Sequence, residues 1–180
     1  MSLSIGSLQA HTAPTRVLVV DEDAVDRQSV YERLNRPGRR CRQAASLREA
    51  LSLAGSEPFD VAVMGAHMSA DCSVALRQHD PEIGLVMLSD HYSFHTATAA
   101  IQVGAAGLIT QPYSDAELQA AVENGLRWRK AARANRAALA SWQQEIADRT
   151  EKVSAAFAGL DVISPPALAA EFKALASNGR

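Results

Sequence analysis

Two cysteines, Cys41 and Cys72, are all that 180 residues hold. So sparse a set excludes a disulfide framework, offers no zinc-ligand spacing and fits a reducing compartment, the cytoplasm. No apolar run approaches the roughly 18 residues that a membrane-spanning helix needs. Residues 1–14 lack the charged-then-apolar order of a secretory signal and are read as a disordered tail. Charge of one sign is missing too. Eighteen Lys and Arg against 20 Asp and Glu leave a net charge of -2, which gives no global pull toward nucleic acid or an anionic membrane. No glycine-rich loop follows the first apolar run: "DEDAV" is acidic and would repel a phosphate unless a cation intervened. What is present is ordinary for a globular chain, 47% hydrophobic and 21% charged, and long enough for one packed domain with added elements.

Five short apolar runs alternate with helical patterns. "RVLVV" (16–20) is continuous, β-branched and short, a buried strand. A helix follows, with Val25, Val30 and Leu34 on its apolar face and Pro37-Gly38 as its stop. "RCRQA" is an edge-like strand. "SLREALSLAG" is a helix capped by Ser46 and closing on Gly55. "FDVAVM", a short helix near 71–78 and "GLVMLS" come next, then a helix from about Ser93 to Val103, "GLIT" and a long helix from about Ser114. This alternation predicts an α/β fold, a doubly wound five-stranded parallel sheet covered on both faces, with a long C-terminal helical extension. Chemistry in such folds sits at the carboxyl ends of strands. That selects Asp21, Glu22 and Asp23, then Gly65 to His67, Ser89 and Asp90, and Gln111 with Pro112.

These strand ends resemble the receiver domain of bacterial two-component response regulators. "VLVVDED" is similar to that family's first strand and acidic cluster, "FDVAVMG" to its third strand, "GLVMLSDH" to its fourth and "GAAGLITQPYSDAEL" to its fifth strand and the loop beyond. The last is the most specific, since glycines, strand, proline, aromatic and helix cap fall in order. The resemblance implies a phosphorylation site of five parts. Two acids help hold Mg²⁺, an Asp after the third strand attacks the phosphoryl donor, and a Ser or Thr and a Lys bind the phosphoryl group. This sequence matches the acid pair with Asp21 and Glu22 and the hydroxyl with Ser89. It places Gly65 at the nucleophile and Gln111, a neutral amide, at the lysine. Leu108 stands at the switch aromatic, and Ser69 replaces the Pro common in the third loop. The departures fall on the parts that carry phosphorylation, so the expectation is a degenerate receiver. With the third carboxylate missing, Asp21 and Glu22 are expected to hold Mg²⁺ weakly if at all, and they serve equally well as helix N-terminal acids. No other cofactor is implied.

Substitute acceptors are weaker readings. Asp60 is near the start of its strand, about five residues or 17 Å from the reactive end at ~3.4 Å per residue. Asp71 is read as a helix cap rather than a replacement acceptor, and His67 as a surface loop residue. His91 and His95 are four apart, but Ser93 starts a helix between them, so they are not aligned for a metal.

From Ser114 no strong breaker appears before Ser164-Pro165-Pro166, with Gly125 and Gly159 as soft points. Every seventh residue from Leu118 gives Gly125, Ala132, Leu139, Ile146, Val153 and Leu160; the companion positions are Ala121, Trp128, Asn135, Trp142, Arg149 and Ala156. From Ala132 this is a heptad seam with Asn135 and Arg149 as polar interruptions. An overhanging stripe with two tryptophans needs a partner. A parallel homodimer through Leu139, Trp142, Ile146 and Val153 is the first expectation; fold-back on residues 166–176 and a heterologous partner are the others. "LRWRKAARANR" carries five basic residues but no reading module follows, so a solvated helix face is favoured over nucleic-acid binding. "EIADRTEKV" is weakly similar to helical linkers that follow receivers in proteins ending in cyclic-dinucleotide enzymes, so the chain is either a stand-alone regulator or part of a longer protein. The expected organisation is a tail (1–14), a receiver-like domain (15–128), a helical coiled-coil extension (129–162) and a Pro-broken short helix with a tail (163–180).

The function this predicts is not enzymatic. It is a degenerate receiver in a signalling protein, working by phosphorylation-independent dimerisation and partner docking. The alternatives are a phosphorylatable regulator with an unusual acceptor and a flavodoxin-like small-molecule binder.

Overall fold

The computed structural model describes residues 13–65, 68 and 70–158. His67, Ser69, Leu160, most of the N-terminal tail and the proline break with residues 166–176 lie outside the described residues. The chain divides into two compact units, Met1–Ala134 and Asn135–Arg180.

The first unit runs β1 (Thr15–Val20), α1 (Ala24–Leu34), β2 (Arg39–Ala44), α2 (Leu47–Ser56), β3 (Val61–Met64), α3 (Ala70–His79), β4 (Gly84–Ser89), α4 (Phe94–Gln102), β5 (Gly107–Thr110) and the first part of α5 (Asp115–Ala158). The five strands are all parallel in the order β2-β1-β3-β4-β5. The doubly wound sheet and the long terminal helix expected from the sequence are therefore present. Alternation along each strand feeds two cores. Val17, Val19, Val61, Val63, Val86 and Leu88 meet α1 and α5 through Val30, Leu34, Leu118 and Val122. Leu18, Val20, Ala62, Met64 and Leu85 meet α2 and α3 through Ala50, Cys72 and Leu76 on the other face. Cys41 and Cys72 thus lie on opposite sides of the sheet, and burial pushes both thiols up to about 11.

Local signals act as read at two helix starts. Ser46 accepts from the Glu49 amide, and Ser93 forms a reciprocal capping box with Thr96. Three readings change. Val25, assigned to the apolar face of α1, is 76% exposed; α1 is held by Val30, Leu34 and the partly buried Tyr31 instead. Asp71 lies inside the first turn of α3 rather than before it. The helix beginning at Leu47 runs one residue past Gly55, with Glu57 as its C-cap.

Gly125 is not a soft point. A Cβ on Gly84 of β4 would lie 2.8 Å from the Gly125 Cα and 2.7 Å from its carbonyl carbon, so α5 crosses the sheet in near backbone contact. Arg129 is pinned one turn later. Buried to 5% exposure, it reaches Asp80 at 2.8 Å through Nη1 and lies 3.1 Å from Asp60 through Nε, the latter an ion pair without hydrogen-bond alignment. Asp60 also accepts the Arg16 amide at 2.9 Å, tying α5 to the start of β1. Burial pushes the Asp80 carboxyl up, but the Arg129 hydrogen bond, the Glu82 amide and the charges of Arg129 and Arg133 outweigh it and hold the group below its usual range. Trp128, read as part of an overhanging stripe, is half-buried with the Arg77 guanidinium 3.7 Å above its ring.

In the second unit the described residues are helical. Leu139, Trp142, Ile146 and Val153 are 65, 70, 60 and 54% exposed, and Arg149 pairs with Glu145 one turn back at 2.6 Å.

Candidate functional site

The strand order sets β1 and β3 side by side with β4 and β5 beyond, so the chain reverses direction across the sheet between β1 and β3. Asp21, Gly65, Ser89 and Gln111 accordingly stand at the carboxyl ends of four adjacent strands, as the sequence predicted. Backbone bonds fix them. The Gly65 amide donates to Val20 O at 2.8 Å, the Asp21 amide to Ala44 O at 3.1 Å and the Gln111 amide to Ser89 O at 2.8 Å.

Asp21 is buried, and its carboxylate fills the space that a side chain at position 65 would enter. A Cβ built on Gly65 would lie 2.8 Å from Asp21 Oδ1, with Cγ and Oδ2 closer still. Its Oδ1 accepts the Asp23 amide at 2.9 Å. Glu22 is exposed, and Asp23 is the N-cap of α1, accepting from the amides of Val25 and Asp26. Ser89 is buried and donates to the His91 carbonyl at 2.8 Å, closing its own loop. Gln111 is exposed and is joined to Pro112 by a cis peptide bond.

Arg27 is the site residue that sequence reading missed. Its Nη1 donates to Asp21 O at 2.6 Å and lies 3.4 Å from both Glu22 O and Asp23 O, so a fixed cation occupies the carbonyl side of the acidic loop. Its position one helical turn after the cap residue Asp23 was the available signal. The donors here do not fit a resident Mg²⁺ well. One carboxylate is turned into the Gly65 space, an arginine already serves the loop carbonyls, and among the described residues no group of three or more His, Cys, Asp or Glu is arranged to hold a metal.

The remaining candidates do not join this site. Asp60 lies before β3, at the opposite end of the sheet. His91 is exposed in the loop before α4, and His95 is exposed in its first turn. Leu108 is partly exposed and lines a groove of about 300 Å³ with Tyr92, Ala97 and Ile101. Beside it Tyr92, Phe94 and Ile101 are 76, 87 and 79% exposed. In the basic run, Arg129 and Arg133 are paired with Asp60, Asp80 and Glu82, and Arg127 with Asn124. No helix among the described residues is long and apolar enough to cross a membrane.

Comparison with known proteins fits this geometry. The family model of the response regulator receiver domain matches residues 17–123. The response regulator protein PilR of Pseudomonas aeruginosa is 27% identical over 118 residues, 63% of this chain, and the match spans 26% of PilR's own length. Among solved structures, the chemotaxis protein CheY4 of Vibrio cholerae is 28% identical with a TM-score of 0.58, covering 63% of this chain and all of that one. NtrX of Brucella abortus is 25% identical with a TM-score of 0.61, covering 67% of this chain and 28% of NtrX.

Proposed function

Because the chain belongs to the response regulator receiver domain family, we propose that it is a degenerate receiver of a signalling protein, one that takes no phosphoryl group and acts through protein–protein contacts. The observation that carries this reading is the pair Gly65 and Asp21. The acceptor position has no side chain, and a neighbouring carboxylate takes up its space. Gln111 supplies no positive charge to a bound dianion, and Ser89 spends its proton on the His91 carbonyl. Mg²⁺ binding is correspondingly weak, and no catalysis is assigned.

Output runs through two surfaces. The seam of Leu139, Trp142, Ile146 and Val153 joins two copies of the chain, since four large exposed apolar side chains at heptad spacing gain most from a matching helix. The face around Leu108, Tyr92 and Ile101 docks a signalling partner in one fixed state. Nucleic acid is disfavoured by the pairing of Arg129 and Arg133. The buried, unreactive thiols suit the cytoplasm.

The test is intact-mass measurement after acetyl phosphate and Mg²⁺. The expected outcome is an unmodified chain; a stoichiometric phosphoryl adduct on any aspartate would refute the proposal.

A further inference from the structure

Resting on the homodimer reading above, we propose that two copies of the helix over residues 135–158 pair antiparallel, with Ile146 of one copy opposite Arg149 of the other. Heptad spacing by itself is served equally by a parallel pair, the arrangement expected from the seam. The identity of the seam and flanking residues separates the two.

In a parallel two-fold pair each seam residue faces its own copy. Trp142 would meet Trp142, the bulkiest possible layer, and one turn beyond Ile146 Arg149 would meet Arg149. Two guanidiniums would then face each other between the apolar layers of Ile146 and Val153. Among the described residues, the carboxylate each arginine holds is Glu145 of its own helix, at 2.6 Å. The flanks offer no relief: Glu145 would run beside Thr150 of the other copy, which carries no charge.

An antiparallel pair instead sets the series of Leu139, Ile146 and Val153 against the series of Trp142 and Arg149. The register that places Ile146 opposite Arg149 also places Trp142 opposite Val153, large against small, twice by symmetry. At ~1.5 Å rise per residue, Glu145 then lies within about 1.5 Å axially of Arg149 of the second copy. It lies within about 3 Å axially of Lys152 of the second copy, on the same flank. Each arginine sits between two carboxylates, and each lysine gains one. Size and charge complementarity therefore select the same register. Gln144, Asp148 and Thr150 bond within their own helix and leave the seam to these residues.

Distances between nitroxide labels test this. Ala137 and Gln144 are exposed and occupy the same outer heptad position, while the native thiols Cys41 and Cys72 are buried and do not compete for label. Ala137→Cys and Gln144→Cys are each labelled in the full chain, and oligomeric state is measured by sedimentation on the same samples. The antiparallel pair separates the two labels axially by about 31 Å at residue 137 and by about 10 Å at residue 144, using ~1.5 Å per residue. The distance at 137 should therefore exceed that at 144 by roughly 10 Å or more once the common width of the pair is included. Equal distances at the two sites in a dimeric sample would overturn the antiparallel register and leave the dimer standing. A monomer at tens of micromolar, with no dipolar coupling at either site, would overturn both.

Discussion

Gly84→Ala should damage this protein more than a single methyl group suggests. Gly84 opens β4, and neither it nor Gly125 has a positive φ, so backbone conformation alone would favour alanine at either position. The obstacle is the crossing of α5. A methyl at Gly84 would stand 2.7–2.8 Å from main-chain carbons of Gly125, where nothing can rotate away. The helix would have to lift, yet Arg129 holds it to Asp60 and Asp80 one turn later, and Trp128 is covered by Arg77. Overpacking of this kind costs ~1–3 kcal/mol, and contact against backbone places the expectation in the upper part of that range. With a urea m-value of ~1–3 kcal/mol/M for a small domain, the midpoint should fall by on the order of 1 M. Trp128 fluorescence follows the transition in this unit, at fixed protein concentration. Two controls bracket the result. Gly55→Ala, in α2 with nothing within 4 Å of the new methyl, should raise stability by ~0.5–1 kcal/mol. Gly125→Ala meets Val61 methyls at 3.0 and 3.1 Å and a Val86 methyl at 3.6 Å, all side-chain atoms, which offsets its helix-propensity gain, so it should lie near wild type. A Gly84→Ala midpoint equal to or above wild type would refute the close-crossing account.

Gly65→Asp has to turn the buried Asp21 carboxylate out of the space it fills, and it should label poorly with acetyl phosphate while Gln111 remains; labelling equal to an ordinary receiver would show that the lysine position is dispensable here. Asp80→Asn should cost ~1–2 kcal/mol near neutral pH, since Arg129 keeps only Asp60. The native Asp80 carboxyl titrates below its unfolded value of ~3.9, so its contribution is complete above that value and is lost as pH falls through the lower folded pKa. The gap in Tm between wild type and Asp80→Asn should therefore narrow below about pH 4; a constant gap would remove Asp80 from the acid limb. Ile146→Glu should abolish self-association in sedimentation, because burying Ile146 contributes ~1.5–3 kcal/mol and a carboxylate there has to be desolvated. It should leave the Tm of the first unit unchanged, and a fall in that Tm would place Ile146 against the receiver unit instead.

The strands were legible because their chemistry is local. "VLVV" and "VAVM" are continuous apolar, valine-rich runs that suit a sheet covered on both faces, and both become fully buried. Ser46 and Ser93 read as caps because capping needs one side chain and the next turn of the same segment. The alignment of Gly65, Ser89 and Gln111 followed from the same strand ends. What escaped is non-local. Arg129 reads in sequence as one of five charges on a solvated helix face, and nothing nearby reveals that Asp60 and Asp80 wait for it across the sheet. The same holds for Trp128, whose neighbour Arg77 belongs to α3, and for Arg27, whose carbonyl partners are visible only once the acidic loop has folded. Val25 failed for another reason. Its helix is held by Val30, Leu34 and Tyr31, so an apolar residue at helical spacing was not a buried one.

Charge explains why the site's departures belong together. A carboxylate at position 65 beside Asp21 and Glu22 would place a third negative charge at one strand end, tolerable only with a cation. Gly65 removes that charge, and Asp21 turns into the vacated space, where the Asp23 amide satisfies one oxygen and the loop carbonyls are served by Arg27. With no anion to neutralise, a lysine at position 111 would be an uncompensated positive charge with no phosphoryl group to meet, and Gln111 carries none. On the function proposed above, one anion and one cation are missing as a pair, so that the site calls for neither phosphate nor metal. The sheet does not object, because its register is held by Val19 against Val63 and Val63 against Val86, all buried and all before the last residue of their strands. Restoring only one member of the pair therefore reintroduces an unbalanced charge, which is why Gly65→Asp together with Gln111→Lys, rather than either alone, is the combination expected to regain phosphodonor labelling.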